Sequence, residues 1–302
     1  MRFDPTNDAT ALHPSWLESW ANRAPIGSGG GFTDLSIDDV SFLLGWSPKS
    51  ELTYVVNDGG LAMRKNLPLG WIAVLLYFTF ILLGQTVMKH RRPFELKTPL
   101  ALWNLGLAVF SIIGTIRLVP YVLYMIYTNG ISYVICRCAS ANALNGPAAL
   151  WLYLFVWSKF PELVDTVFLV LRKKPVNFLH WFHHATVLLY CWYSYAYENP
   201  AGILFAAMNY SVHAIMYTYY FLAAIDRPPR WGKLVTVLQI AQMFAGIAIT
   251  LLQWRFSYSI DHCYVPRATL DFGFLMYGAY LVLFLQFFVD RYINHPAKRK
   301  SD

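Results

Sequence analysis

Seven apolar runs, each near the roughly 20 residues that an α-helix needs to cross a hydrocarbon core, fall at about 68–88, 99–127, 147–171, 177–196, 201–224, 234–254 and 268–292. Backbone inside lipid must satisfy its own hydrogen bonds, so single-chain runs of this kind fold as helices. The chain is 57% hydrophobic and 14% charged over 302 residues, more apolar surface than a soluble domain of that size can bury. Its partner is the lipid bilayer. A net charge of +7 would suit nucleic acid only on a soluble basic face, whereas these cations stand in short runs between apolar stretches; no nucleic-acid partner is expected. The chain divides into an extramembrane extension over 1–66, a helical domain over 67–295 and a basic tail over 296–302.

Alternate loops hold most of the cations: Lys89, Arg91, Arg92 and Lys97, then Arg172, Lys173 and Lys174, then Arg227, Arg230 and Lys233, and last Arg291, Lys298, Arg299 and Lys300. The positive-inside rule then puts the amino terminus in the lumen and the carboxyl terminus in the cytosol. Arg64 and Lys65 stand against this assignment. Residues 1–30 have no apolar core followed by a small-residue cleavage site, so the first span is expected to direct insertion. Lysines third and fifth from the end, Lys300 and Lys298, match a dilysine retrieval signal for the endoplasmic reticulum. Cys136, Cys138 and Cys263 fall in lumenal loops, where one disulfide from Cys263 to Cys136 or Cys138 is permitted. No Cys-x-x-Cys spacing for zinc occurs.

Polar residues inside the runs are costly in lipid and point inward. In the third run Lys159, Glu162 and Thr166 follow three- and four-residue steps, with Asp165 beside them and Pro161 as a kink. A buried ion pair that orients helices would explain that stripe taken alone. The fourth run opens His180-Trp-Phe-His183-His184, three imidazoles on one face just inside the cytosolic boundary. The fifth adds Asn209, His213, Met216, Tyr217 and Tyr220; the sixth adds Thr236, Gln239 and Gln242; the second adds Asn104 and Ser111. Five helices with inward polar faces imply one shared cavity. The expected fold is an all-α polytopic membrane protein of about seven transmembrane helices around an interior substrate tunnel open to the cytosolic side.

These motifs resemble the fatty acid elongases, the membrane 3-ketoacyl-CoA synthases. Lys159-Phe-Pro-Glu162-Leu-Val-Asp165-Thr166, the run from His180 to His184, His213-Ala-Ile-Met216-Tyr217 and Thr236-Val-Leu-Gln239-Ile-Ala-Gln242 match the family's four boxes in order, preceded by Arg92-Pro-Phe-Glu-Leu-Lys97. The likeness covers about 67–295. It implies an acyltransferase that joins a long-chain acyl-CoA with malonyl-CoA, needs no cofactor or metal, and works beside the ketoreductase, dehydratase and enoyl reductase of the elongation cycle; a homodimer stays open. It favours Cys136 as the partner of Cys263. The context around Phe178, with Pro175 and Val176 before the histidine box, resembles the branch that extends saturated and monounsaturated chains, with a saturated substrate of about 12 to 16 carbons.

Condensation needs a held acyl group, a carbanion from malonyl-CoA, and stabilisation of an oxyanion and an enolate. His183, with His180 and His184 as imidazole neighbours, is the candidate for an acyl-imidazole, and His213 is its helper across the cavity. Lys159, Glu162, Asp165 and Thr166 position groups and CoA; Asn209 and Gln239 are candidate oxyanion donors; Tyr217, Tyr220 and Gln242 complete the substrate-binding set. Arg172, Lys173, Lys174 and Lys233, with Arg230, are candidates for CoA phosphates, although topology alone demands cations there. Cys191 lies about 10 Å deeper than His184 at roughly 1.5 Å per residue and reads as a small buried hydrophobe. A receptor or transporter of seven helices shares the helix count. A di-iron oxygenase needs more imidazoles than the four inside the runs, while a single metal on His180, His183, His184 and His213 stays open.

Overall fold

The computed structural model describes residues 47–52, 54, 62–136, 146–260, 263 and 265–294. The glycine-rich run at 27–31, Cys138 and the Lys298–Asp302 tail lie outside them. The described residues are helical and contain no strand. In order the helices are α1 (Leu67–Lys89), α2 (Lys97–Cys136), α3 (Gly146–Ser158), α4 (Val164–Leu171), α5 (Phe178–Ala196), α6 (Gly202–Ala224), α7 (Gly232–Ser259) and α8 (Arg267–Val289). A one-turn helix, Lys49–Leu52, precedes them, a 3-10 turn, Pro161–Leu163, joins α3 to α4, and a π turn, Asp290–Asn294, follows α8.

Four of these segments are long and apolar enough to cross a membrane by length and composition: α1, α2, α7, and α8 through Asn294. The run expected at 147–171 is not one helix: its polypeptide bends between α3 and α4, each too short to span alone. The runs at 177–196 and 201–224 are single helices, α5 and α6. Both carry histidines within the apolar run, which the four lipid-compatible helices lack.

Burial follows from period. On α1 only Gly70, Val74, Tyr77, Ile81 and Met88 are buried, a single stripe at three- and four-residue steps, so most of that helix is left for lipid. It packs against α4 and α5. Pro68 in its first turn has no N–H to leave unsatisfied there. On α2 the stripe runs Ala101, Asn104, Ala108, Ser111, Gly114, Leu118, Tyr121 and Met125. The glycine has a reason: a Cβ at position 114 would come within 2.5 Å of the Tyr210 ring, so its absence lets α2 and α6 approach closely. α6 also packs against α3, α5 and α7 and forms the centre of the bundle. Near its end α2 breaks at Gly130, whose backbone (φ 80°, ψ 166°) suits glycine.

At the end of the bundle away from the histidines, Cys136 and Cys263 are joined by a disulfide that ties α2 to the segment before α8. Arg64, whose charge stood against the topology, donates from Nε and Nη2 to the Ala196 carbonyl at 3.0 and 2.9 Å and lies 3.6 Å from Glu198. It closes the carboxyl end of α5, a use for a cation at a helix C-terminus that is independent of membrane sidedness. The short helix before α1 is integrated as well: Glu51 pairs with the buried Arg117 of α2 at 2.9 Å, and Trp151 donates to it at 3.3 Å. Part of the region read as extension therefore packs on the helical domain.

Candidate active site

The break between α3 and α4 creates the first part of the site. Pro161 offers no N–H, the chain turns, and Lys159 is carried inward at 2% exposure instead of outward. Its Nζ donates to Glu162 Oε1 at 2.8 Å and to Asn209 Oδ1 at 3.0 Å, and sits 4.2 Å from the centre of the Phe155 ring. Ser158 Oγ donates to the same Glu162 oxygen at 2.9 Å. With its oxygen taken by Lys159, the Asn209 amide turns its Nδ2 to His213 Nε2 at 3.2 Å. That nitrogen must then accept, which leaves the ring proton on Nδ1, facing Glu162 Oε1 at 3.9 Å. One ion pair thus fixes the tautomer of an imidazole on another helix.

One turn on, the stripe divides. Asp165 accepts from Trp103 Nε1 at 2.7 Å and from Tyr217 Oη at 2.8 Å, and links α4 to α2 and α6. Thr166 Oγ1 lies 2.8 Å from Tyr77 Oη and 2.8 Å from His180 Nε2, toward α1 and α5. Of the stripe expected on one face, Lys159 and Glu162 therefore meet α6, and Thr166 meets α1 and α5.

Asn177 caps α5, accepting from the His180 backbone N–H at 2.9 Å, which fixes the start of the histidine face. The His180 and His184 rings stand 4.4 Å apart and those of His183 and His184 5.7 Å apart. All three, with His213, line one cavity of about 530 Å³. Glu162, Asp165, Asn209, Tyr217, Tyr220, Gln239 and Gln242 line it too, and so does Asn104 of α2. Arg172, Pro175 and Asn177 stand where the α4–α5 loop meets it, and Met243, Phe284 and Phe287 give it an apolar wall. Gln239 contacts the Met216 sulfur at 3.3 Å.

Several expected groups are elsewhere. Lys159 and Thr166 stand behind the lining and act on it through their partners. Lys173 donates to the Lys89 and Arg91 carbonyls at 3.3 and 3.2 Å, tying the loop to the end of α1; Lys174 is exposed; and Lys233 lies over the Phe288 ring at 5.3 Å. Of the cations expected at the mouth, Arg172 lines the cavity and Lys173, Lys174 and Lys233 do not. Cys191 is a buried free thiol outside the lining. Among the described residues no three His, Cys, Asp or Glu side chains are grouped to hold a metal ion. Trp103, Tyr77, Thr186 and Tyr280 were not singled out by sequence, because each meets its partner across 62 to 97 residues.

The cavity thus gathers four imidazoles, two carboxylates and an apolar wall within helices of a membrane protein. A model of the GNS1/SUR4 family matches residues 62–300. The chain belongs to this family. It is 43% identical to very long chain fatty acid elongase 6 of Mus musculus over 242 residues, which are 78% of this chain and 89% of the mouse protein. The human protein of that name is 42% identical over 241 residues, again 78% of this chain and 89% of the relative. Very long chain fatty acid elongase 4 of Trypanosoma cruzi is 38% identical over 256 residues, 83% of this chain and 87% of the relative.

Proposed function

We propose that this elongase condenses a long-chain acyl-CoA with malonyl-CoA to give 3-ketoacyl-CoA, CO2 and CoA, through an acyl group carried on His183. The observation that carries the proposal is the convergence of His180, His183, His184 and His213 on one cavity that also has an apolar wall. A free His183 nitrogen attacks the thioester carbonyl; the C–N bond forms, the C–S bond breaks, and CoA leaves as thiolate and takes up a proton. Malonyl-CoA then loses CO2, and the electron pair of the broken C–C bond attacks the acyl carbonyl, returning the imidazole. Asn209 and Gln239, among the neutral amides that line the cavity, are the candidates to stabilise an oxyanion or enolate, with Asn104 beside them. Neither step calls for a metal or cofactor.

Arg172 is the cation best disposed for CoA phosphates, and the resemblance of the context before the histidine box, with Pro175 and Val176, to the branch that extends saturated and monounsaturated chains supports a saturated substrate of about 12 to 16 carbons. The placement in the endoplasmic reticulum, with the tail cytosolic, rests on the loop charges and the terminal lysines; protection of the Lys298–Asp302 tail from protease in sealed microsomes contradicts it. The three enzymes that complete the cycle are the expected partners. Membranes bearing the protein, given labelled malonyl-CoA and a panel of acyl-CoAs, are expected to release CO2 and extend palmitoyl-CoA by two carbons faster than an 18-carbon triene. Absence of extension favours a receptor or transporter, and equal rates overturn the substrate class.

A further inference from the structure

His183 lacks the support that nucleophile and base imidazoles usually have. His213 is oriented by Asn209, and His180 by Thr166, but His183 Nδ1 is buried and has no hydrogen-bond partner among the described residues. Closed off at Nδ1, this ring has Nε2 left for an acyl carbonyl, and its aim has to be set by something other than a side-chain hydrogen bond.

The neighbour in place is Tyr280 of α8, 1% exposed, whose ring centre lies 4.7 Å from that of His183 with the planes at 60°. Thr186 Oγ1 donates to the Phe182 carbonyl at 2.6 Å, so the single Tyr280 hydroxyl proton is shared between Thr186 Oγ1 at 2.5 Å and the His183 carbonyl at 3.2 Å. One phenol therefore reaches the backbone of the residue whose ring it packs against, and through Thr186 the residue before it. The Tyr280 ring also meets Phe182 edge-on at 6.0 Å. A tyrosine used only as packing needs one partner for its hydroxyl; here the partners are those that hold the histidine turn in rotation and depth.

We propose that Tyr280 is the positioning residue for His183: with Thr186, it fixes the histidine-bearing turn of α5 and presents the imidazole to the acyl carbonyl. It lies outside the four sequence boxes and does not line the cavity, so it acts through His183 and not on substrate. The proposal rests on His183 carrying the acyl group.

The test is the acyl-transfer half-reaction of the purified full-length protein, with palmitoyl-CoA alone and CoA release followed in a single turnover. Tyr280→Phe keeps the ring and removes the hydroxyl; Thr186→Val removes the second anchor. Both are expected to lower the saturating rate roughly tenfold to a hundredfold, as small misplacement of a reacting group does, with the half-saturating acyl-CoA concentration unchanged within about twofold. Adding Tyr280→Phe to His183→Ala is expected to cause no further loss. If His183→Ala keeps the single-turnover release, the acyl-histidine reading fails. If His183→Ala abolishes release while Tyr280→Phe leaves the saturating rate intact, or only weakens acyl-CoA binding, the positioning role alone is overturned. If Tyr280→Phe misfolds, Thr186→Val decides by the same criteria.

Discussion

Glu162 and Lys159 form an ion pair at 2.8 Å with side chains 5% and 1% exposed, and the pair holds both Asn209 and, through it, His213. Glu162→Gln keeps the shape and removes the anion. The Lys159 ammonium is then buried beside neutral oxygens only, and breaking a buried pair from one side costs about 3 to 5 kcal/mol. For a chain of this size that is a fall in Tm on the order of 10 °C. Activity is expected to fall further than stability explains, because the Lys159 ammonium that holds Asn209 loses its counter-ion and the His213 Nδ1 proton loses the carboxylate it faces. The double variant Lys159→Met/Glu162→Leu removes both charges, and replacing a buried pair by apolar groups is often close to neutral. It is therefore expected to recover most of the lost Tm while remaining inactive. Thermal unfolding in detergent, run beside the malonyl-CoA assay, reads both. Additive losses of Tm in the double variant would refute the account of the pair, and a stable, active Glu162→Gln protein would refute its link to His213.

Two further outcomes follow from placement. Arg172→Ala should raise the KM for acyl-CoA, whereas Lys173→Ala, whose ammonium is committed to the Lys89 and Arg91 carbonyls, should leave it unchanged; the opposite pattern in a saturation curve returns Lys173 to the mouth. Gly246→Ala puts a Cβ well inside van der Waals contact of the Tyr277 ring, in a tightly packed region between α7 and α8, and should lower stability by about 1 to 3 kcal/mol as overpacking does; an unchanged melting curve would contradict that packing.

Apolar runs and inward polar stripes were legible because a helix in lipid writes its period and its solvent into the sequence. The same logic joined His180, His183, His184, His213, Asn209 and Gln239, and all of them line the cavity. That Thr166 meets Tyr77 of α1 and His180 of α5 was not legible: Pro161 announces a kink, but not which helices the residues beyond it reach. Trp103 and Tyr280 were hidden for a different reason. An indole or phenol in an apolar run looks like core, and only a contact from a distant helix turns it into a hydrogen-bond donor with a purpose. Cations in the loops between the helices gave no discrimination at all, since topology and phosphate binding ask for the same residues. The structure separates Arg172 from Lys173 by what each side chain already holds.

The central claim is that His183 carries the acyl group, and its most direct measurement is incubation of the purified protein with acyl-CoA alone, followed by peptide mass analysis. The account predicts one equivalent of CoA released and an acyl mass on the peptide containing His183, both lost in His183→Ala and both kept in Cys191→Ser; an acyl mass on Cys191, or CoA release that survives His183→Ala, would contradict it.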